Sequence, residues 1–260
     1  MYQWLCFSCC ILLSVFQHDN NAQVKDLTKE EVILFQELIE KQYPLMKDIY
    51  GAIDSLKFHI QKSSNYFIQN IYYNGWCHDT YISNVFLFEP NRTIRNCIIN
   101  CPRSWHDSTL MGYRSYQFAE KMYKTYSRKV VVDSAFRVSD ADYLIGSSQE
   151  EPMEGDKVTV NSSATLVWQL SEWDMRMILG QFPRMKDNLP LEEFGERKVI
   201  LGLLVLLYNY QVSEVCINTI LNTYMLDKTL GKFYQHTIAE IETSRKEGAR
   251  IARGASSKIN

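Results

Sequence analysis

The sequence predicts an α/β fold in which a mixed β-sheet is flanked by α-helices. Residues 48–61 form an apolar, strand-like run, and "NVFLFEPNRTIRNCIINCP" (84–102) has two apolar runs joined by a turn that contains Pro90 and Asn91. "KVVVD" (129–133) has the consecutive β-branched residues of a strand that is buried on both faces. A hairpin followed by a helix and a further strand predicts a sheet with an antiparallel half and a parallel half.

The helices are predicted from apolar periodicity and from their end signals. Residues 27–41 begin with Thr28 and Glu31 at the spacing of a capping box, and Pro183 helps to end a helix that starts near residue 164. Residues 108–126 and 212–224 are also predicted to be helical, and the dense apolar run within 196–210 predicts a buried helix. The polar, turn-rich stretch 146–163 predicts a long exposed loop.

Composition and charge limit the possible functions. The 260-residue chain has a formal net charge of −2, which argues against a uniformly basic surface, so any DNA binding needs local basic patches. Its seven cysteines lack the spacing of a disulfide framework, which favours a reducing compartment. The apolar run 4–16 predicts a buried N-terminal helix or the end of a longer N-terminal domain. The alternative is secretion with this run as a signal peptide, although no basic residue precedes it.

Three acidic residues lie in apolar surroundings where a carboxylate needs an explanation. Asp133 ends the valine strand, and Asp54 lies within the first strand. Glu172 lies on the helix that follows, close to its predicted core stripe of Leu166, Leu170, Trp173 and Met177. Each has an ordinary alternative, since Asp is a common turn residue and Glu172 is one helical turn from Arg176. If the three converge, they repel one another unless a cation is present, and such oxygen ligands suit Mg²⁺ or Mn²⁺. Two such ions can clamp the attacking and leaving oxygens of a phosphodiester.

Six segments then resemble those of a known family, in order and in approximate spacing. They are "YGAIDSLKFHIQ", "YYNGWCHDTYISNVFLFEPNRTI", "NCPRSWHDST", "VVVDSAF", "LSEWDMRMILGQFPRMK" and "LLVLLYNYQVSEVCINTI". Over residues 43–225 the chain resembles the Harbinger-type DDE transposase-derived nucleases, which have an RNase H-like fold. The resemblance implies that Asp54, Asp133 and Glu172 bind two Mg²⁺ or Mn²⁺ ions and cleave DNA phosphodiester bonds. Metal-bound water or a DNA 3′-hydroxyl would then be the nucleophile.

The sequence also departs from the family pattern at three positions. Ser55 and Asp174 replace glycines that usually follow the first acid and Glu-Trp, and Arg103 replaces the glycine before Ser-Trp-His-Asp. A domesticated or decayed copy that binds DNA or a protein without cleaving therefore remains the alternative. The predicted organisation is an N-terminal helical, apolar segment (1–42), an endonuclease domain (43–228) and a basic, flexible tail (229–260).

Further residues are assigned roles by their place in these segments. His106 would contact a phosphate or orient water near the metals, and the alternative is that it caps the helix that follows. The predicted contacts to the DNA backbone are Lys57, Arg176, Arg184 and Lys186. No recognition helix for base contacts is evident, so the resemblance implies a separate Myb-like DNA-binding partner and a nuclear location.

Overall fold

The computed structural model describes residues 2–75, 77–102, 115–133, 136, 141–147, 156–190 and 194–215. His106 lies outside these residues, as does the whole tail 229–260. The strands within them are β1 (Ile49–His59), β2 (Tyr73–Asn74), β3 (Asp79–Phe88), β4 (Ile94–Pro102), β5 (Lys129–Asp133) and β6 (Leu144–Ser147). The helices are α1 (Tyr2–Phe16), α2 (Lys29–Gln42), α3 (Tyr66–Tyr72), α4 (Ser115–Tyr126), α5 (Asp156–Gln181) and α6 (Phe194–Val215), with a short 3-10 helix at Pro183–Lys186.

The described strands form one mixed sheet in the order β2-β3-β1-β5-β6, with β4 also paired to β3. β1, β3 and β4 pair antiparallel, and β1, β5 and β6 pair parallel. The predicted antiparallel and parallel halves are therefore confirmed, and with helices on both faces the architecture is the RNase H-like fold. β6 was not predicted, because it has only two apolar residues, Leu144 and Ile145, and its last two residues, Gly146 and Ser147, were predicted as part of the loop.

Helix α2 begins where the sequence predicts. The Thr28 side chain accepts a hydrogen bond from the Glu31 amide at 3.2 Å, and the Glu31 carboxylate accepts one from the Thr28 amide at 2.9 Å. This reciprocal capping box satisfies two amides that have no partner within the helix and stabilises it by about 1 kcal/mol. The apolar side of α2 buries Val32, Phe35 and Ile39 against the sheet.

The two faces of the sheet are covered by different helices. On one face, Ile53 and Val132 pack in a cluster with residues of α2 and α4. On the other face, Ala52 and Val131 pack beneath the first half of α5, and Phe58 packs in the cluster formed by α6 and the second half of α5. Because strand side chains alternate between faces, this division determines on which face each polar residue of β1 and β5 lies.

Helix α5 starts earlier than the sequence predicts. Residues 156–163, predicted as part of a loop, are the first turns of α5, while 148–155 lie outside the described residues. Val160, one turn before Ala164, packs against the same apolar cluster as Ala164. The packing of Val160 stabilises this earlier turn of the helix, although the residues between the two are polar. The predicted core stripe is also wrong in part, because Leu166 and Trp173 are exposed, whereas Val167, Ser171 and Asp174 are buried.

Helices α1 and α6 pack against each other. Helix α6 is buried as predicted, and the edges of the Phe16 and Tyr210 rings meet with centroids 5.2 Å apart. The prediction of a buried N-terminal helix is wrong: α1 forms, but Phe7, Ile11, Leu12 and Val15 are exposed, since only one side of α1 lies on α6. Among the described helices, none combines the length and the apolar character that crossing a bilayer requires.

Candidate metal and nucleic-acid site

Asp54 lies in the middle of a central strand rather than in a turn. Its side chain is 9% exposed, and its Oδ1 accepts a hydrogen bond from the Ser55 amide at 2.7 Å. Residues on both sides of it belong to the core, so the strand holds this carboxylate in a fixed position. The turn alternative for Asp54 is thereby wrong.

Asp133 is brought beside Asp54 by the parallel pairing of β5 with β1. Ile53 is the partner of Val132, so Asp133 follows at the level of Asp54 on the neighbouring strand. Neighbouring strands are about 4.8 Å apart, and side chains alternate between faces. Since Ala52 and Val131 both point towards α5, the Asp54 and Asp133 side chains do so too. The sheet thus places two carboxylates side by side on the face that α5 covers.

Glu172 lies on α5 and binds an arginine of its own helix. Its Oε1 is 2.7 Å from Nη2 of Arg176, and the two side chains are 40% and 71% exposed. Glu172 is about 160° around the helix from Asp174. Asp174 lines a small cavity together with Gly51 and Ala52, near the start of β1. In the part of the chain that the structure describes, no three His, Cys, Asp or Glu side chains are arranged to hold a metal ion.

The donor atoms of this site fit a divalent cation in part. Aspartate oxygens on adjacent strands are the ligands that Mg²⁺ and Mn²⁺ prefer. Two neighbouring carboxylates also repel each other, which a bound cation would relieve. Glu172 joins them only if it releases Arg176 and α5 turns about its axis, because Glu172 is on nearly the opposite side of the helix from the buried Asp174. The exposed pair with Arg176 contributes less than about 1 kcal/mol, so the loss of that pair alone costs little.

The predicted DNA-contacting cations lie in three places. Lys57 is exposed on β1, and strand alternation directs it to the face opposite that of Asp54. Arg184 and Lys186 are exposed on the 3-10 helix, with Arg184 3.1 Å from the carboxylate of Asp187. Leu189, just after this helix, pairs with Ile60 at the end of β1. Arg184 and Lys186 are therefore near the carboxyl end of β1, and Arg176 is on α5.

A buried ionic network at the β3–β4 turn was not predicted. Glu89 Oε2 accepts hydrogen bonds from Arg95 Nε and Thr93 Oγ1, both at 2.8 Å, and Arg95 Nη2 also donates to Glu31 at 2.6 Å. Burial raises the pKa of Glu89 to about 8 against the opposing effect of Arg95. The turn itself was predicted, but its sequence, Glu89-Pro90-Asn91-Arg92, gave no sign that the Glu89 side chain is buried.

A second buried pair joins this turn to α5. Asp174 Oδ1 is 3.0 Å from Arg92 Nε and 3.3 Å from Tyr208 Oη. The Arg92 N–H does not point along the 3.0 Å contact, so we treat it as an ion pair rather than a hydrogen bond. Burial raises the pKa of Asp174 to about 8, although Arg92 lowers it. Asp174 stands where the resembled family usually has glycine, and Arg92 offsets the charge that this change places in the interior.

A third buried group ties α6 to the sheet edge. Arg197 has no exposed surface; it donates to Asn100 at 2.6 Å, to the Pro190 carbonyl at 2.7 Å and to Tyr72 Oη at 3.1 Å. Its guanidinium lies 5.2 Å from the centre of the Tyr72 ring. One cation thus connects β4, α3 and the segment after the 3-10 helix.

Comparisons with known proteins agree with this architecture. The family model described as DDE superfamily endonuclease matches residues 53–209, more than half of the chain, and the match includes Asp54, Asp133 and Glu172. The comparisons with curated proteins and with solved structures give no match.

Proposed function

Because this chain belongs to the DDE superfamily endonuclease family, we propose that it cleaves DNA phosphodiester bonds with the help of divalent metal ions. One observation carries the proposal: Asp54 and Asp133 lie level on adjacent parallel strands and point to the same face. Side-by-side carboxylates on adjacent strands are suited to holding cations, and Asp133 ends its strand, where open α/β sheets place their ligands.

Each of the three acids has a part in the proposed site. Asp54 and Asp133 hold Mg²⁺ or Mn²⁺, and Glu172 releases Arg176 to complete the second position. When bound, two such ions would stabilise the attacking and leaving oxygens of a phosphodiester. Arg176, once released, is one helical turn from Glu172 and can contact the DNA backbone. His106 is proposed to contact a phosphate or to orient water.

The remaining contacts concern how the protein holds DNA. We propose that Lys57, Arg184 and Lys186 contact phosphates, which gives binding that weakens steeply as salt rises. With a net charge of −2, this chain would bind weakly and without sequence preference. A Myb-like partner would then supply the target sequence, as in the Harbinger type, and the complex would act in the nucleus.

A second candidate function is non-catalytic binding by a domesticated or decayed copy. Two observations favour it: Glu172 is paired with Arg176, and Asp174 replaces a glycine beside it. A chain of this kind would bind DNA or a protein but would show no saturable metal binding that depends on all three acids. Isothermal titration calorimetry of Mn²⁺ binding, on the wild type and on Asp54→Asn, separates the two candidates.

The direct test of cleavage is a nicking assay on supercoiled DNA with Mg²⁺ or Mn²⁺. Asp133→Asn keeps the shape of the side chain and removes one metal ligand, so we expect nicking to fall by at least about a hundredfold. Asp142→Asn, an exposed acid just before β6, is the matched control and should nick like the wild type. Equal nicking by Asp133→Asn and the wild type would exclude the proposed site.

A further inference from the structure

Two aromatic rings stand out on the surface of α3. Tyr66 is 72% exposed and Phe67 is 80% exposed, although such side chains bury about 150–250 Å² each when they are in a core. Ile71, on the same helix, is 46% exposed. This concentration of exposed apolar surface on one short helix suggests a contact with another molecule.

Helix α3 is firmly held, so the rings have a fixed direction. Asn65 caps the helix by accepting hydrogen bonds from the amides of Phe67 and Ile68 at 3.0 and 3.4 Å. Gln69 donates to Thr80 on β3 at 2.7 Å. At the other end of the helix, the Tyr72 hydroxyl accepts from the buried Arg197. Bonds at both ends of α3 therefore fix it while leaving the two rings in solvent.

Basic residues lie close to α3 in the chain and at the neighbouring end of β1. Between Asp54 and Asp79 the sequence has no acidic residue, and the exposed Lys62 lies four residues before Tyr66. The pairing of Ile60 with Leu189 brings the 3-10 helix to the same end of β1. This helix carries the exposed Lys186 and the exposed Arg184, which is in an ion pair with Asp187. Cations next to exposed aromatic rings are the combination with which proteins bind single-stranded nucleic acid.

The distance to the carboxylates suits a single DNA molecule. Six residues separate Asp54 from Ile60, and at about 3.3 Å per residue this is about 20 Å of strand. The same length corresponds to about six base pairs at 3.4 Å each. A strand whose phosphate lies at Asp54 and Asp133 can therefore reach Ile60 within one turn of a duplex. Ile60 donates its amide hydrogen bond to Thr80, the residue that also holds Gln69 of α3.

We propose that Tyr66 and Phe67 stack on unpaired bases of the DNA substrate while Lys62, Arg184 and Lys186 contact the phosphates beside them. The inference rests on the proposed function for its DNA substrate and adds the class of DNA that this surface selects. Paired bases are already stacked on their neighbours, so exposed rings contact base faces only where the strands have separated. The surface thus favours single-stranded DNA or a frayed end over a closed duplex.

The test measures binding of the full chain to a fluorescein-labelled single strand and to a blunt duplex of the same sequence, without metal. Tyr66→Ala with Phe67→Ala should weaken single-strand binding by at least about tenfold, since each stacked base contributes about 1–3 kcal/mol, and should change duplex binding little. Tyr66→Phe keeps the ring and should retain the wild-type affinity. Phe7→Ala, which removes an aromatic ring that is 58% exposed on α1, is the matched control and should bind like the wild type.

Two results overturn the inference: single-strand binding that survives the loss of both rings, or a loss that is equal for single strand and duplex. The first result would point to a protein partner on this surface. The outcome is separable from that of the proposed function, because Asp133→Asn tests cleavage and the ring variants test binding without metal. Unchanged nicking by Asp133→Asn together with weakened single-strand binding by the ring variants would exclude the metal site and retain the stacking surface.

Discussion

Carboxylates lie in opposite electrostatic surroundings in two regions of the molecule, beside the start of β1 and at its middle. At the β3–β4 turn, beside the start of β1, Glu89 and Asp174 lie in the interior, and each faces an arginine. Further along β1, Asp54 lies level with a second carboxylate, Asp133, on the adjacent strand. In the first arrangement each buried acid has an arginine beside it, and in the second two acids lie next to each other on adjacent strands. We infer that the first supports the fold and that the second is kept for a cation.

The largest expected effect comes from breaking the first arrangement. Arg92→Ala leaves the Asp174 carboxylate buried beside Tyr208 without its cation, so above pH 8, where Asp174 is ionised, we expect the free energy of unfolding to fall by about 3–5 kcal/mol in urea denaturation. Arg184→Ala removes the cation of an exposed pair and should cost less than about 1 kcal/mol. Similar costs for the two variants would contradict the structural role of the buried pair.

A smaller effect is expected from the tight packing of β1 near the same turn. A Cβ atom at Gly51 would lie 2.5 Å from the Phe88 carbonyl oxygen, so Gly51→Ala must push β1 and β3 apart. We expect a loss of about 1–3 kcal/mol in unfolding free energy. Gly75→Ala is the control, because no described atom lies within 4 Å of its Cβ position. If Gly51→Ala and Gly75→Ala have the same unfolding free energy, β1 and β3 do not approach each other as closely at Gly51 as described.

The buried acids also predict how stability depends on pH. Burial raises the pKa of Asp174 and of Glu89 to about 8 in the folded state, above their unfolded values near 4. The folded protein then binds more protons than the unfolded chain between about pH 4 and pH 8, so the free energy of unfolding falls as pH rises through that range.

Asp174→Asn removes one of the two groups and should make the fall shallower by up to about 1.4 kcal/mol per pH unit. Urea denaturation at a series of pH values measures this slope. The exposed variant Asp187→Asn, whose arginine partner is in solvent, should keep the wild-type slope. A slope that Asp174→Asn leaves unchanged would show that Asp174 is ionised when folded.

Much of the fold follows from local signals in the sequence. The Thr28–Glu31 capping box, the Pro90–Asn91 turn and the valine strand each depend on residues close together in the chain, and each is confirmed. The orientation of α5 could not be predicted in this way, because the burial of Asp174 depends on Arg92 from another element. The exposed position of Trp173 follows from the same rotation of the helix.

The candidate site could be predicted only in part for a similar reason. The strand end at Asp133 is a local signal, but its position beside Asp54 comes from parallel pairing between distant segments. Glu172 has two competing partners, Arg176 one turn away and a cation that the sequence does not encode. Nothing local distinguishes Tyr66 and Phe67 from core aromatics, since their exposure follows from how α3 is held by Thr80 and Arg197.

The central claim, that Asp54 and Asp133 are paired to hold a cation, is tested most directly by the effect of metal on unfolding. The unfolding free energies of the wild type and of Asp133→Asn without metal give the reference value for each protein. With Mn²⁺ at about one hundred times its dissociation constant, the wild type should gain about 2.7 kcal/mol, and Asp133→Asn should gain far less. Equal gains for the two proteins, or no gain for the wild type, would contradict the account.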